Sequence, residues 1–166
     1  MIIIIALLCV MVIWLAATSR KINDYLDVPT VAAHDRVPTH AHPTDAGADL
    51  RLNEDITIPA GGTYLASTGV SMAIPNGFYA EIHGRSSLAS KHGLMLANSV
   101  GIIDPDYRGD ILVNLKNTST RRVTLTAGTR VAQLIFRKQI TPRFRPVHHL
   151  PTTTRGTGGH GSTGDQ

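Results

Sequence analysis

The chain has 166 residues, of which 42% are hydrophobic and 17% charged, a composition typical of one globular domain rather than of a disordered protein. Aromatic residues make up only 5%, which argues against a protein that stacks single-stranded nucleic acid along a groove. The net charge is +4, the basic residues are scattered and there is one cysteine; we therefore expect no nucleic-acid partner, no disulfide framework and no cysteine-based zinc site.

Residues 2–17 form a uniformly apolar segment that is followed by Arg20 and Lys21. Its length is near the lower limit for a helix that spans a bilayer, and basic residues on the C-terminal side alone would leave the rest of the chain in the cytoplasm. The segment is therefore either a hydrophobic helix at residues 1–20 that associates with the membrane, or the product of a start codon placed too early. A cleaved export signal is a third interpretation, although the basic residues that open such a signal are missing.

Residues 21–30 are expected to be a linker, and the sequence pattern changes after residue 30. Short apolar or alternating segments then recur, separated by Gly, Pro, Asn or Asp, which predicts an all-β sandwich or jelly roll over residues 31–150. The candidate strands are 31–33, 48–52, 55–58, 63–65, 70–73, 78–82, 99–103, 111–115, 122–125 and 131–136, with a last one near Ile140. Residues 88–96 are expected to form one short helical turn at most.

Residues 98–110, with the sequence NSVGIIDPDYRGD, are predicted to form a β-hairpin. The turn between its apolar strands contains two acids, an aromatic residue and an arginine, which is a costly set to place at a tip unless something binds there. Asp104 at the mouth of the turn could act as a general base, and Tyr107 could stack on a flat ligand. By itself the segment is better explained by a solvated turn.

Residues 151–166 are rich in Gly and Thr and cannot build a core, which predicts a flexible C-terminal arm. The arm nevertheless contains Arg155, His160, Ser162 and Thr163 among its glycines. Glycines allow a backbone to fold closely around an anion, and an arginine presents a planar fork to phosphate oxygens. The arm is therefore either disordered or a mobile phosphate clamp that orders over a ligand.

Five short motifs occur in an order and at a spacing that resemble the trimeric dUTPases, the dUTP nucleotidohydrolases. They are AGADL at 46–50, GRSSLA at 84–89, GIIDPDYRG at 101–109, RVAQLI at 130–135 and RGTGGHGSTG at 155–164. The resemblance covers about residues 31–164 and no part of the N-terminal segment. Each motif is weak by itself, whereas five in order are specific.

The resemblance implies a fold, a reaction and an assembly. The fold is an all-β, distorted jelly-roll protomer of a homotrimer, in which each active site is shared between subunits and the C-terminal arm closes it. The reaction is hydrolysis of dUTP to dUMP and diphosphate with Mg²⁺ as the cofactor. Such an enzyme keeps uracil out of DNA and supplies dUMP for dTMP synthesis.

The resemblance also implies roles for individual residues. Asp104 matches the catalytic carboxylate that activates the attacking water, and Asp49 matches the aspartate that holds the metal through a water molecule. The residues that match substrate contacts are Asn98, Gly101, Ile103, Tyr107, Arg85, Ser86, Ser87, Gln133, Arg155, His160, Gly161, Ser162 and Thr163.

These contacts divide by the part of dUTP that they touch. Asn98 and the backbone after it match the edge that hydrogen-bonds uracil, and Tyr107 matches the ring that lies under the deoxyribose and leaves no room for a 2′-hydroxyl. The remaining contacts match phosphate-binding groups, apart from His160. That residue stands where most members of the family have a phenylalanine that stacks on uracil.

Two other functions remain as alternatives. A dCTP deaminase shares the fold and some of the motifs, but the position that matches its general-base glutamate is Asn114, which cannot take a proton. A nucleotide-gated regulatory protein could also use this fold, although Asp104 and Arg155 argue against a purely non-catalytic role.

Overall fold

A computed structural model describes residues 25–159 of the chain. Within this range there are eleven strands, one 3-10 helix (His34–Arg36) and one α-helix, α1 (Ser86–His92). The strands are β1 (Thr30–Val31), β2 (Ala48–Arg51), β3 (Ile56–Ile58), β4 (Thr63–Ser67), β5 (Ser71–Met72), β6 (Phe78–Gly84), β7 (Leu94–Leu96), β8 (Gly101–Ile103), β9 (Leu112–Asn117), β10 (Val123–Leu125) and β11 (Arg130–Lys138).

Two main sheets share one hydrophobic core. The first has the strand order β2-β11-β6-β8 and the second β4-β9-β7, while β1 pairs with β5 and β3 with β10. All of these pairings are antiparallel. Alternate residues of both sheets, such as Ile82 and Leu134 in the first and Val113 and Leu115 in the second, belong to one buried cluster. The period-two pattern of apolar residues produced this burial, and the predicted all-β jelly roll is confirmed.

Strand β11 lies at the centre of the first sheet, between β2 and β6. Ala132 and Leu134 point into the core, where they are buried, whereas Gln133 between them is only partly covered. Side chains directly opposite each other on antiparallel strands share a face. The outer face of this sheet therefore presents Gln133 together with its register partners Asp49 and His83.

The helical prediction for residues 88–96 was wrong in position and length. The helix α1 begins at Ser86 and ends at His92, and Leu94–Leu96 form strand β7 instead. Gly93 ends the helix because its φ of 65° is left-handed, and its N–H donates to the carbonyl oxygen of Ala89 at 3.0 Å. Leu94 and Leu96 are then buried alternately against β9, which is a strand pattern.

The predicted strand near Ile140 is absent from the described part of the chain. Strand β11 ends at Lys138, and the Gln139 N–H makes one more backbone bond, to the carbonyl oxygen of Gly77 at 2.8 Å. Ile140 is 87% exposed and therefore has no partner face within residues 25–159 that would hold it in a strand.

Residues 98–110 do not form a hairpin with residues 111–113. Strand β8 pairs with β6, whereas β9 pairs with β4 and β7 in the other main sheet. The connection is held to the loop after β4: the Asp110 carboxylate accepts from the Ser67 hydroxyl and the Val70 N–H, and the Ile111 N–H donates to the Val70 carbonyl oxygen. These bonds direct the chain from one sheet to the other, so the hairpin prediction was wrong.

The apolar segment at residues 2–17 lies outside the described residues. Within residues 25–159 there is no helix long and apolar enough to cross a membrane. The N-terminal helix, its membrane association and the two alternatives to it stay predictions.

Candidate active site

Asp49 lies between two arginines at the outer face of the first sheet. Asp49 is only 4% exposed, and its Oδ2 accepts a hydrogen bond from Arg130 Nη1 at 3.0 Å. Arg85 Nε lies 3.0 Å from Oδ1, although the angle is not that of a hydrogen bond, which leaves Oδ1 without a donor. Because a buried carboxylate is costly without opposite charges, the two guanidinium groups stabilise this one.

Asp49 Oδ1 forms an ion pair with Arg85 but accepts no hydrogen bond from the described residues. It is a buried oxygen that can still accept a hydrogen bond, for example from a metal-bound water. Within residues 25–159 no group of three or more His, Cys, Asp or Glu residues could hold a metal by itself. The open acceptor position of Asp49 Oδ1 fits an outer contact to a metal-bound water.

The predicted phosphate loop follows strand β6 directly. Arg85 is extended, with φ −82° and ψ 134°, and Ser86 and Ser87 are the first two residues of α1. Arg85 and Ser86 line a cavity of about 210 Å³ together with Ser99, which belongs to the turn before β8. Local structure thus places the loop beside Asp49 on one side and beside the predicted uracil edge on the other.

The predicted uracil edge is a tight turn followed by strand β8. Ser99 has a φ of 66°, and the Val100 N–H donates to the carbonyl oxygen of Asn98 at 2.7 Å. Asn98 is exposed in this turn, while Gly101 is buried opposite Ile82. Ile103 packs against the core, so the backbone of this edge is anchored while the Asn98 side chain is free to meet a ligand.

Asp104 is an exposed carboxylate at the end of β8. It lines a cavity of about 500 Å³ with Tyr79, Ile102 and Lys138 among its neighbours. The Tyr107 N–H donates to the Asp104 carbonyl oxygen at 3.2 Å, which closes a turn around Pro105. The carboxylate therefore stands at a fixed point of the backbone and remains open to water.

Tyr107 is held in one orientation by the residues that follow it. Its hydroxyl donates to the Asp110 carbonyl oxygen at 2.9 Å. A Cβ atom at Gly109 would lie 2.5 Å from the tyrosine oxygen, so the ring occupies its place only because residue 109 is a glycine. The ring is 42% exposed, and a ligand can reach it.

Asp110 is a structural residue of the site that the sequence did not reveal. Its two carboxylate oxygens accept from the Ser67 hydroxyl at 2.6 Å and from the Val70 N–H at 3.1 Å. These bonds fix the end of the loop that presents Asp104 and Tyr107. No local signal distinguished Asp110 from the exposed acid Asp106, because its partners lie about forty residues earlier in the chain.

Arg155 is the one predicted site residue of the C-terminal arm that the structure describes. Its Nε donates to the Gly158 carbonyl oxygen at 2.9 Å, and it is exposed. No hydrogen bond or ion pair within residues 25–159 links Arg155 with Asp104 or Asp49. His160, Gly161, Ser162 and Thr163 lie outside the described residues, so their predicted roles stay predictions.

Comparison with known proteins identifies the family. The family model for dUTPase matches residues 33–164. The chain belongs to the dUTPase family. The deoxyuridine 5′-triphosphate nucleotidohydrolase of Cutibacterium acnes is 46% identical over 138 residues, which are 82% of this chain and 91% of that protein.

Solved dUTPase structures share the fold. The crystal structure of dUTPase from Streptococcus mutans has a TM-score of 0.65 at 35% identity and covers 74% of this chain and 96% of that one. A mutant dUTPase of Staphylococcus bacteriophage 80alpha with dUpNHpp has a TM-score of 0.77 and covers 84% and 99% of the two chains. At 24% identity, the second likeness bears on the fold only.

This dUTPase also has a hydrogen-bonded cluster on the outer face of the first sheet that the sequence did not indicate. The Glu81 carboxylate accepts from the Tyr79 hydroxyl at 2.9 Å and from Arg137 Nε at 3.3 Å, and it is bonded to His83 Nε2 at 2.9 Å. The bonds from His83 and then from Tyr79 lower the pKa of Glu81 to about 2, while partial burial opposes the shift. Tyr79, Glu81 and His83 alternate along β6 and so share one face, and the register of β11 with β6 brings Arg137 to the same face.

The low pKa of Glu81 predicts a pH-dependent contribution to stability. A carboxyl whose pKa is lower in the folded chain stabilises it above the unfolded value of 4.5, and that contribution is lost as the pH falls towards about 2. We expect Glu81→Gln to be less stable than wild type at pH 6, with the difference in urea midpoint shrinking steadily between pH 5 and pH 2. A difference that stays constant over this range would contradict the assigned cause.

Proposed function

We propose that the chain hydrolyses dUTP to dUMP and diphosphate as a homotrimer with shared active sites, and that it uses Mg²⁺ as its cofactor. The observation that carries the proposal is the presence of two groups of predicted site residues in one dUTPase-family fold. Asp49, Arg85 and Gln133 form a phosphate side, whereas Asp104 and Tyr107 form a nucleoside and water side. The homotrimer with shared sites is proposed because the chain belongs to the dUTPase family.

The carboxylate of Asp104 is the general base of the proposed reaction. It accepts a proton from a water molecule whose oxygen forms a bond to the α-phosphorus of dUTP. The bond from the α-phosphorus to the bridging oxygen breaks on the opposite side, and diphosphate leaves with that electron pair. The exposed position of Asp104 and its fixed backbone support this role, since a base acts only when it is held within reach of the proton.

The phosphate side supplies positioning and positive charge. Arg85, Ser86, Ser87 and Gln133 are proposed to bind phosphate oxygens, and Asp49 to accept a hydrogen bond from a metal-bound water. When bound, Mg²⁺ would offset the charge of the triphosphate. Because the phosphoryl group itself needs little covalent help from the protein, positioning and charge provide most of the acceleration.

The nucleoside side supplies specificity. Tyr107 is held by its bond to the Asp110 carbonyl oxygen, and a ring fixed under the deoxyribose would reject a 2′-hydroxyl by contact. Asn98 and the backbone of Gly101 and Ile103 are proposed to pair with the uracil edge. A base with the wrong donors and acceptors would leave buried groups unpaired, which is costly.

The C-terminal arm is proposed to close the site over the terminal phosphate. Arg155 supplies the guanidinium fork, and Ser162, Thr163 and the Gly161 backbone supply further donors. His160 would stack on uracil with a smaller face than phenylalanine. The exposure of the arm as far as it is described supports an element that acts on a site outside its own core.

Turnover of a nucleotide panel tests the proposed function. The purified protein with Mg²⁺ should release diphosphate from dUTP and leave dCTP, dTTP and UTP nearly untouched. Release of ammonia from dCTP would instead identify a deaminase. That result is not expected, because Asn114 lies in β9 as an amide that cannot act as a base.

A further inference from the structure

His83 is the third member of a row of polar residues that crosses the first main sheet. Asp49 on β2, Gln133 on β11 and His83 on β6 are register partners. Side chains in directly opposed positions of antiparallel strands lie on one face, with Cβ atoms about 5 Å apart. The first two members belong to the phosphate side of the proposed site, so the row places His83 at the edge of that side.

The orientation of the His83 ring is set by Glu81. The ring Nε2 lies 2.9 Å from Glu81 Oε2, and the Tyr79 hydroxyl holds the other oxygen of the same carboxylate. In a neutral ring, the nitrogen that binds a carboxylate carries the hydrogen, so Nε2 is the donor and Nδ1 is an acceptor. The side chain of His83 is 34% exposed, which leaves part of the ring open on the outer face.

The side-chain amide of Gln133 needs a hydrogen-bond partner that orients it. Its stem packs against the backbone at Gly47, where a Cβ atom would lie 3.0 Å from Gln133 Cβ. Its amide makes no hydrogen bond with another side chain among residues 25–159, so the stem is fixed while the amide is not. Phosphate oxygens only accept hydrogen bonds, so the amide binds phosphate through its NH₂ group and not through its oxygen.

We infer that His83 is a positioning residue for dUTP hydrolysis: held by Glu81, it offers Nδ1 to one hydrogen of the Gln133 amide and so directs the other to a phosphate oxygen. The inference rests on the proposed function, in which Gln133 binds phosphate. It assigns the Glu81–His83 pair to the site rather than to the stability of the sheet alone. His83 touches no reacting atom and acts only through Gln133.

Steady-state kinetics of four variants in the full chain tests the inference. His83→Leu removes both ring nitrogens and should lower kcat for dUTP about tenfold, with KM changed less than about twofold, because a misdirected contact costs alignment more than binding. His83→Gln keeps a donor for Glu81 and an acceptor for Gln133, and should recover most of the loss. Glu81→Gln should lower kcat in the same direction by a smaller factor.

Arg137→Gln is the matched control. Arg137 Nε donates to the same Glu81 Oε2 as His83 does, but Arg137 is not a member of the row. This variant should keep kcat within about twofold of wild type. Equal losses in Arg137→Gln and His83→Leu, or an unchanged kcat in His83→Leu, would overturn the inference.

A measurement on the wild-type chain keeps the inference testable if a variant does not fold. The ring nitrogens of His83 are observed by NMR, with His83→Gln used for assignment, before and after addition of dUpNHpp and Mg²⁺. The Nδ1 resonance should shift on ligand addition, and a ring that shows no change would overturn the inference. Failure of wild type to hydrolyse dUTP would contradict the proposed function instead, so the two failures are distinguishable.

Discussion

Replacing Asp104 by asparagine should abolish most turnover and leave nucleotide binding intact. The amide keeps the shape of the side chain but cannot take a proton from water. We expect kcat for dUTP to fall by about 10²–10⁴-fold, the range that general-base catalysis contributes. The dissociation constant for dUpNHpp with Mg²⁺, measured by calorimetry, should stay within about threefold of wild type because no phosphate or uracil contact is removed.

Asp106 provides the control for this prediction. It is an exposed acid two positions further along the same loop. Unlike Asp110, its carboxylate accepts no hydrogen bond among residues 25–159. Asp106→Asn should therefore retain wild-type turnover. If Asp104→Asn kept half of the wild-type kcat, or if both variants lost activity equally, Asp104 would not be the base.

Removal of residues 155–166 should leave a folded protein that has lost nearly all turnover. The described part of this segment, up to Gly159, contributes no residue to the hydrophobic core, so the thermal midpoint should change by no more than about 2 °C. The proposed clamp on the terminal phosphate is absent from the shortened chain. We expect kcat/KM for dUTP to fall by about 10²-fold or more, as for loss of a charged positioning group.

Limited proteolysis of the full chain separates a clamp from an inert tail. The arm should be cleaved readily in the free protein and protected when dUpNHpp and Mg²⁺ are added. Arg155→Leu serves as the matched variant, because it removes the guanidinium and keeps the arm. This variant should show weaker protection, and equal cleavage with and without ligand in wild type would count against the clamp.

Many of the strands could be predicted from the local alternation of apolar and polar residues. Segments such as Ile56–Ile58 and Val123–Leu125 alternate between buried and exposed residues, and they are strands in the structure. The sequence did not reveal how these strands pair. The loop after Ile103 resembled a hairpin turn, but the bonds between Asp110 and the chain near Ser67 lead it to the other sheet. Such long-range bonds leave no trace in nearby spacing.

In the candidate site, too, the sequence indicated individual residues but not the contacts between distant segments. The motifs predicted roles for Asp104, Tyr107 and Arg85 because these residues lie in short segments with a specific order. The ion contacts of Asp49 with Arg85 and Arg130 join three separate motifs and could not be read from any one of them. The bond between His83 and Glu81 spans only two positions, yet its relation to Gln133 depends on the register of β6 with β11.

The site of attack by water tests the central claim most directly. Hydrolysis of dUTP by the purified protein with Mg²⁺ is carried out in ¹⁸O-labelled water, and both products are analysed by mass spectrometry. The account predicts dUMP that carries one ¹⁸O on its phosphate and diphosphate that carries none, since the water held by Asp104 bonds to the α-phosphorus. Label in the diphosphate, formation of dUDP and phosphate, or dUTP that is not consumed would contradict it.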